Sequence, residues 1–325
     1  VKVIRDTHEG SVLPDHASSG RIRADRKAGA LPVVGTWSAP GHLIRRAQRV
    51  HTATWNSVFG SEVTGPQYAT LVAIAMWPES DQQTAGELAG LDKATMAGVI
   101  KRLEARGFIR RRQAEDDRRR QMISIAPAAE KRMDDFAARA VCVHDALAAK
   151  LPAGTESETI SLLRKIASIN ERSFGAANLP KAFAVVEPST ALGYLLRRAL
   201  QIHVSLWNEE FHGEITSPQY AVLSAVAAAD SADQLKIAEL AGLDTSSAAD
   251  VMGRMEKDGW LRRETNPTDR RRLQVALTQP ARMAVLWASP GVERVQLELL
   301  SALTDQEKTR LVELLQHLIR GSDPQ

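Results

Sequence analysis

Cysteine occurs once in the 325 residues, at Cys142. No intrachain disulfide can form, and no cysteine pair is present to hold zinc. A single cysteine set among Ala and Val on a helix reads as a buried side chain rather than a redox sensor. Aromatic residues make up only 5% of the chain, while Ala, Leu and Arg are abundant. That balance favours helices over sheet. No apolar run approaches the length of a membrane span, and the N-terminal stretch has no signal-peptide core, so the expectation is a cytoplasmic protein without a membrane partner. Catalytic signatures are missing too: there is no Gly-x-Ser-x-Gly, no phosphate loop and no His-Glu-x-x-His. The reading is a non-enzyme with no catalytic residue, no metal and no cofactor. The net charge of +3 is small for this length, which excludes a bulk polycation.

The charge that is present is concentrated. Arg110, Arg111, Arg112, Arg118, Arg119 and Arg120 crowd one short segment, and Arg262, Arg263, Arg270, Arg271 and Arg272 crowd another. Basic tips on a near-neutral body suit a DNA-binding module. The context of the first cluster is Leu91 to Ile125. Asp92 is a suitable N-cap, and Met96, Val99, Ile100 and Leu103 follow at helical spacing. Gly107 stops that helix, because a left-handed cap costs glycine nothing. Phe108 and Ile109 open a strand, an arginine-rich turn reverses the chain, and Met122, Ile123 and Ile125 return. A capped helix followed at once by a basic-tipped hairpin is the sequence pattern of a winged helix-turn-helix, with the helix for the major groove and the hairpin tip for the backbone or minor groove.

The pattern occurs twice. From Gly41 to Ile125, residue n aligns with residue n+152 without a gap, and 37 of the 85 positions are identical. One chain therefore carries two copies of one domain. The expected fold is mainly α with small β-hairpin wings. The expected organisation is an N-terminal arm over 1–35, a first domain over 36–174, a linker over 175–189 and a second domain over 190–321. Within this plan the first long helix ends at Phe59 and the next begins at Pro66. Residues Ala128 to about Lys150 are helical, and Glu156 to Phe174 forms a terminal helix. Pro290-Gly291 should kink or split the matching helix of the second copy.

Each copy resembles the MarR (multiple antibiotic resistance regulator) family of bacterial transcription factors. The residues that carry the resemblance are Pro66-Gln67-Tyr68-Ala69 with Pro218-Gln219-Tyr220-Ala221, and Glu87 to Asp92 with Glu239 to Asp244. The wing adds Asp117, Arg119, Ile123 and Ile125, matched by Asp269, Arg271, Val275 and Leu277. Copy two continues with the family's threonine, Thr278, where copy one has Ala126. The resemblance implies ligand-responsive dimers whose terminal helices make the interface. A fused pair is then either a pseudo-dimer within one chain or half of a homodimer.

Candidate sites follow. For DNA they are Lys93, Thr95 and Lys101 on the first recognition helix, Ser246 and Ser247 on the second, and Arg118, Arg119, Arg120, Arg270, Arg271 and Arg272 on the wings. Gly98 and Asp250 occupy one equivalent position, so the double-stranded operator should be an imperfect palindrome. The first long helix resembles the branch of the family that senses aromatic acids or their thioesters. It offers Arg45 or Arg46 for a carboxylate, His51 for a ring hydroxyl and Trp55 as a flat wall, repeated as Arg197 or Arg198, His203 and Trp207. The function expected is a regulator, acting as a repressor released by a small aromatic effector. The rival expectation is a winged-helix interaction scaffold that binds no specific DNA.

Overall fold

A computed structural model describes residues 31, 39–114, 121–168, 191–229, 232–265 and 273–320 of the chain. The N-terminal arm, the interdomain linker and both wing tips lie outside the described residues.

The first copy opens with α1 (Pro40–Phe59), which buries Leu43, Ile44, Ala47, His51, Trp55 and Phe59 on one face. After a loop, α2 (Gly65–Met76) begins with a capping box. The Thr64 side chain accepts from the Gln67 amide, and the Gln67 side chain returns the bond to the Thr64 amide. β1 (Ser80–Asp81) leads into α3 (Gln82–Ala89), which starts as soon as Asp81 can cap it. α4 (Lys93–Ala105) is capped by Asp92 and buries the expected Met96, Val99, Ile100 and Leu103. Gly107 takes φ +68° just past its end, and the Phe108 amide reaches back to the Leu103 carbonyl at 2.9 Å. β2 (Ile109–Gln113) and β3 (Gln121–Ile125) pair antiparallel as the wing, with β1 on the other edge of β3. α5 (Pro127–Glu130), α6 (Met133–Ala148) and α7 (Glu156–Ile166) complete the copy.

The second copy repeats the order as α8 (Leu192–Phe211), α9 (Ser217–Ala228), α10 (Gln234–Ala241), α11 (Thr245–Lys257), the wing strands β4 (Leu261–Thr265) and β5 (Leu273–Leu277), α12 (Gln279–Leu299) and α13 (Asp305–Arg320). Where β1 meets β3 in copy one, copy two keeps a single bond from the Val275 amide to the Ala232 carbonyl at 3.3 Å.

Four expectations need correction. Pro290 does not split its helix: α12 runs through it. Val285, Ala288, Val292 and Val295 are buried along one face, and that burial outweighs a proline defect of about 3 kcal/mol. The break falls instead in copy one, between α5 and α6, where Asp134 and Asp135 stabilise a fresh N-terminus at Met133. The terminal helix of copy one stops at Ile166, and Ser168 turns to φ 53°. Cys142 is exposed rather than buried. The face of α6 turned to the core is Ala140, Val143 and Leu147, and position 142 points away from it.

The copies are joined by exchange of their terminal helices. α7 packs on α8, α13 packs on α1, and α1 packs on α8. One hydrophobic core holds Leu43, Ile44, Leu71 and Leu163 of copy one together with Leu195, Leu196, Leu311, Leu314 and Ile319 of copy two. At the rim, Arg310 clasps Glu158 with Nε–Oε1 at 3.1 Å and Nη2–Oε2 at 3.0 Å, and Lys165 reaches Glu307. The remaining apolar residues of copy two form their own core around Trp207, Leu223, Ile237 and Met255.

Candidate functional sites: recognition helices and the cavities between copies

Five of the DNA candidates fall on described helices. Lys93, Thr95 and Lys101 on α4, and Ser246 and Ser247 on α11, are exposed. Two of the hydroxyls already have work. Thr95 donates to Asp92 Oδ2 at 2.6 Å while its amide donates to Oδ1 at 2.9 Å. The bond from the Thr95 side chain, followed by that from its amide, holds the Asp92 carboxyl below the usual carboxylate range. Asp244 is capped alike by Ser247, with the amide bond at 2.9 Å, and is lowered for the same reason. Thr95 and Ser247 therefore stiffen the N-termini of these helices as well as facing outward.

Behind each wing, an arginine is tied to the recognition helix. Arg111 Nε meets Glu104 Oε1 at 3.0 Å, and Arg263 Nε meets Glu256 Oε2 at 3.1 Å, at equivalent positions. Arg118, Arg119, Arg120, Arg270, Arg271 and Arg272 lie outside the described residues. Sequence reasoning passed over Arg102 and Arg254, which are exposed on the two helices at one repeated position. Their identity across the repeat was the available signal.

The ligand candidates group differently from the expectation of one set per helix. Arg197 of copy two reaches across to copy one. Its Nη2 donates to the Ala89 carbonyl at 3.0 Å, and it lines a cavity of about 70 Å³ with His51, Trp55, Tyr68, His144 and Tyr194. Arg45 of copy one reaches the other way, bonds the Ser217 hydroxyl, and lines a cavity of about 30 Å³ with His203, Trp207, Ser224 and Gln296. Each pocket thus takes its arginine from one copy and its histidine and tryptophan from the other. Arg46 and Arg198 line neither. Arg46 lies against Gly242, and Arg198 lies against Gly90 while bonding Gln201 Oε1 at 2.9 Å.

The crossing is possible because glycine stands at two helix starts. A Cβ on Gly193 would overlap the His51 ring, and one on Gly41 would overlap His203. Closely packed and cut off from water, the histidines stay neutral. Burial, then the nearby Arg197 charge, lowers His51 to about 3. Burial, then Arg45, lowers His203 to about 3. Burial also lowers Arg45 and Arg197 to about 10, which leaves both guanidiniums charged at neutral pH. A buried cation facing a mostly apolar wall is suited to a carboxylate. The tryptophans are partly structural, since Trp55 Nε1 donates to the Val63 carbonyl at 2.6 Å and Trp207 Nε1 to the Ile215 carbonyl at 2.7 Å.

The same helices hold the turns that precede the recognition helices. Tyr194 donates to the Leu88 carbonyl at 3.1 Å, beside the Arg197–Ala89 bond. In the opposite direction, Arg49 donates to the Leu243 carbonyl at 2.8 Å, and the His42 ring bonds the Leu240 carbonyl. Ala89 is the last residue of α3, only three residues before the Asp92 cap of α4. Whatever engages Arg197 is therefore one hydrogen bond from the helix-turn-helix of copy one. Tyr68, His144, Tyr194 and Arg49 were not singled out from the sequence. Tyr68 lies inside the repeated Pro-Gln-Tyr-Ala island and could have been found there, whereas His144 carries no local signal. Among the described residues, no group of three or more His, Cys, Asp or Glu could hold a metal ion, and no helix is long and apolar enough to cross a membrane.

The model of the MarR family matches residues 63–120 and again 215–273. Transcriptional regulator HosA of Escherichia coli O111:H- is 32% identical over 126 residues, which are 39% of this chain and 93% of that protein. The HTH-type transcriptional repressor NicR of Pseudomonas putida is 27% identical over 134 residues, 41% of this chain and 85% of that protein. Among solved structures, the PcaV transcriptional regulator of Streptomyces coelicolor, in complex with its natural ligand, is similar at 33% identity and a TM-score of 0.40, covering 42% of this chain and 96% of that one. BpsR of Bordetella bronchiseptica, whose DNA binding is regulated by 6-hydroxynicotinic acid, is similar at 27% identity and a TM-score of 0.38, covering 41% and 94%.

Proposed function

We propose, from the premise that this chain belongs to the MarR family and carries its domain twice, that one chain acts as a self-contained pseudo-dimeric repressor released by an aromatic carboxylate. The carrying observation is the cross-copy arginine. Arg197 offers a half-buried positive charge to a pocket walled by Trp55 and Tyr68, and the same guanidinium holds the Ala89 carbonyl ahead of α4. A carboxylate on Arg197 competes for that hydrogen bond and shifts the turn. Arg45, His203 and Trp207 form the equivalent set on the other side. The name of the relative NicR, a transcriptional repressor, supports the sign of regulation.

DNA contact is assigned to Lys93 and Lys101, to the hydroxyl-bearing starts of α4 and α11, and to the wing arginines, with Arg119 and Arg271 nearest the minor groove. A chain that brings its own partner presents both recognition helices without a second molecule. Gly98 and Asp250 then face different half-sites, and the operator is an imperfect palindrome. Release needs a difference in affinity between free and bound arrangements, and tenfold release takes about 1.4 kcal/mol.

The test is selection of a binding site from random duplexes, followed by fluorescence anisotropy of the selected duplex with benzoates, hydroxybenzoates, hydroxycinnamates and their thioesters. The reading expects tight, salt-dependent binding that at least one acid or thioester weakens tenfold or more. A chain that selects no sequence and ignores salt would instead be an interaction scaffold. A chain that binds DNA but ignores the whole panel would be a regulator whose cavities are only packing.

A further inference from the structure

The two cavities occupy equivalent places, yet they are not built alike. Copy one has Gly65 where copy two has Ser217, Val72 where copy two has Ser224, and His144 where copy two has Gln296. The first and third exchanges bridge the second cavity, whereas Ser224, smaller than valine, leaves its hydroxyl without a partner. The Ser217 hydroxyl already accepts from the Arg45 guanidinium, whereas Gly65 gives Arg197 nothing to bond. Gln296 spans its cavity: its Oε1 accepts from the Gly41 amide at 2.8 Å, and its Nε2 lies 3.4 Å from His203 Nε2. His144 turns instead to Glu156, with Nε2 at 2.8 Å from Oε1. The volumes follow, about 70 Å³ against about 30 Å³.

Buried polar atoms without a partner line both cavities: His42 Nε2, His203 Nδ1 and Ser224 Oγ in the second, and in the open one a guanidinium nitrogen as well. Arg197 Nε and His144 Nδ1 are both buried without a hydrogen-bond partner. In the tautomer whose Nε2–H donates to Glu156, His144 Nδ1 is left as an acceptor, which a ring hydroxyl satisfies. A guanidinium with its Nε unpartnered and a ring nitrogen left as an unpartnered acceptor, in one apolar cavity, suit a hydroxylated aromatic acid better than a plain one.

From these differences we infer that the chain binds a single effector, a hydroxylated aromatic carboxylate held by Arg197 and His144 in the cavity of copy one, while the second cavity is closed by Arg45–Ser217 and Gln296. The effector then acts on the turn held through Ala89, ahead of α4. The turn ahead of α11 stays held by Arg49 through Leu243. One half of the molecule senses, and the other is a fixed DNA anchor. This rests on the aromatic-acid reading above and narrows it.

Calorimetric titration of the full chain with benzoate, para-hydroxybenzoate and para-hydroxycinnamate tests it. The expected result is one equivalent per chain for whichever acid binds, with the hydroxylated acid tighter than its parent. Arg197→Ala should weaken binding at least tenfold. The double variant Ser217→Gly, Gln296→His should raise the stoichiometry towards two. Two equal equivalents in the parent chain, or loss of binding on Arg45→Ala with Arg197→Ala unaffected, overturns this inference but leaves the sensor intact. A double variant that stays at one equivalent overturns the closure by Ser217 and Gln296. If none of the acids binds while selected DNA still does, the aromatic-acid reading and this inference fall together.

Discussion

Acid should unfold this protein early, and the interface histidines set how early. His42, His51 and His203 are each held at about 3, in every case chiefly by burial, against an ordinary value of 6.5. The folded state keeps these rings neutral, whereas the unfolded chain protonates them near 6.5. Below that pH the unfolded state binds more protons, so stability falls as pH falls from 6.5 towards 3 and is fully present above 6.5. At pH 5 each ring is 1.5 units below its unfolded midpoint, a cost of about 2 kcal/mol at 1.36 kcal/mol per unit. Three rings together cost about 6 kcal/mol. With an m value of about 3 kcal/mol/M, the urea midpoint should drop by about 2 M between pH 7 and pH 5. Carboxylates contribute little in this window, since Asp92, Asp244, Glu62 and Glu104 are all held below their usual range. Tryptophan fluorescence follows the unfolding, because Trp55 and Trp207 stand next to the rings in question, with centroids 5.8 Å from His51 and His203. The double variant His51→Gln, His203→Gln should lose about two thirds of the pH slope. A midpoint unchanged between pH 7 and pH 5, or a slope untouched by that variant, refutes the argument.

Replacing Gly193 by Ala should destabilise the fold by about 1–3 kcal/mol through overlap with His51, although the same change ordinarily favours a helix. Gly253 has nothing within 4 Å, so Gly253→Ala should raise stability by about 0.5–1 kcal/mol, and denaturant unfolding of both variants shows whether the signs are opposite. Thr278→Ala removes the cap on the Ala281 amide and should cost about 1 kcal/mol in the same assay. Arg119→Ala with Arg271→Ala should weaken DNA binding for all sequences and lower the slope of log K against log salt by about 2, read by anisotropy across a salt series. Light scattering at micromolar concentration should give the mass of one chain, and a stable two-chain mass would count against the pseudo-dimer.

What could be read from the sequence was what local chemistry decides. Asp92 and Asp244 cap, Gly107 terminates, and Met96, Val99, Ile100 and Leu103 share a face because a helix brings them together whatever surrounds it. The partnership of Arg45 could not be read this way. In an ungapped repeat, Arg45 stands six residues before His51 just as Arg197 stands six before His203. Same-copy and cross-copy pockets therefore predict one residue list, and only the packing of α1 on α8 separates them. His144 was invisible for a similar reason. Its importance comes from Arg197 and Glu156, which lie far from it in sequence. Cys142, and the split at Pro290, were misjudged where burial of neighbouring positions, rather than the residue itself, sets the outcome.

The exchanged terminal helices have a consequence for the cell. Regulators that pair as separate chains re-sort each time they dissociate, and they mix with any relative whose end helices are similar. Here the apolar stripe Leu311, Leu314, Leu315, Leu318 and Ile319 is already covered from within the same polypeptide. Dilution at cell division does not undo a pair carried on one chain. Freed from having to serve two mirror-related places at once, each half can change alone, and the difference between Gly65 and Ser217 is such a change.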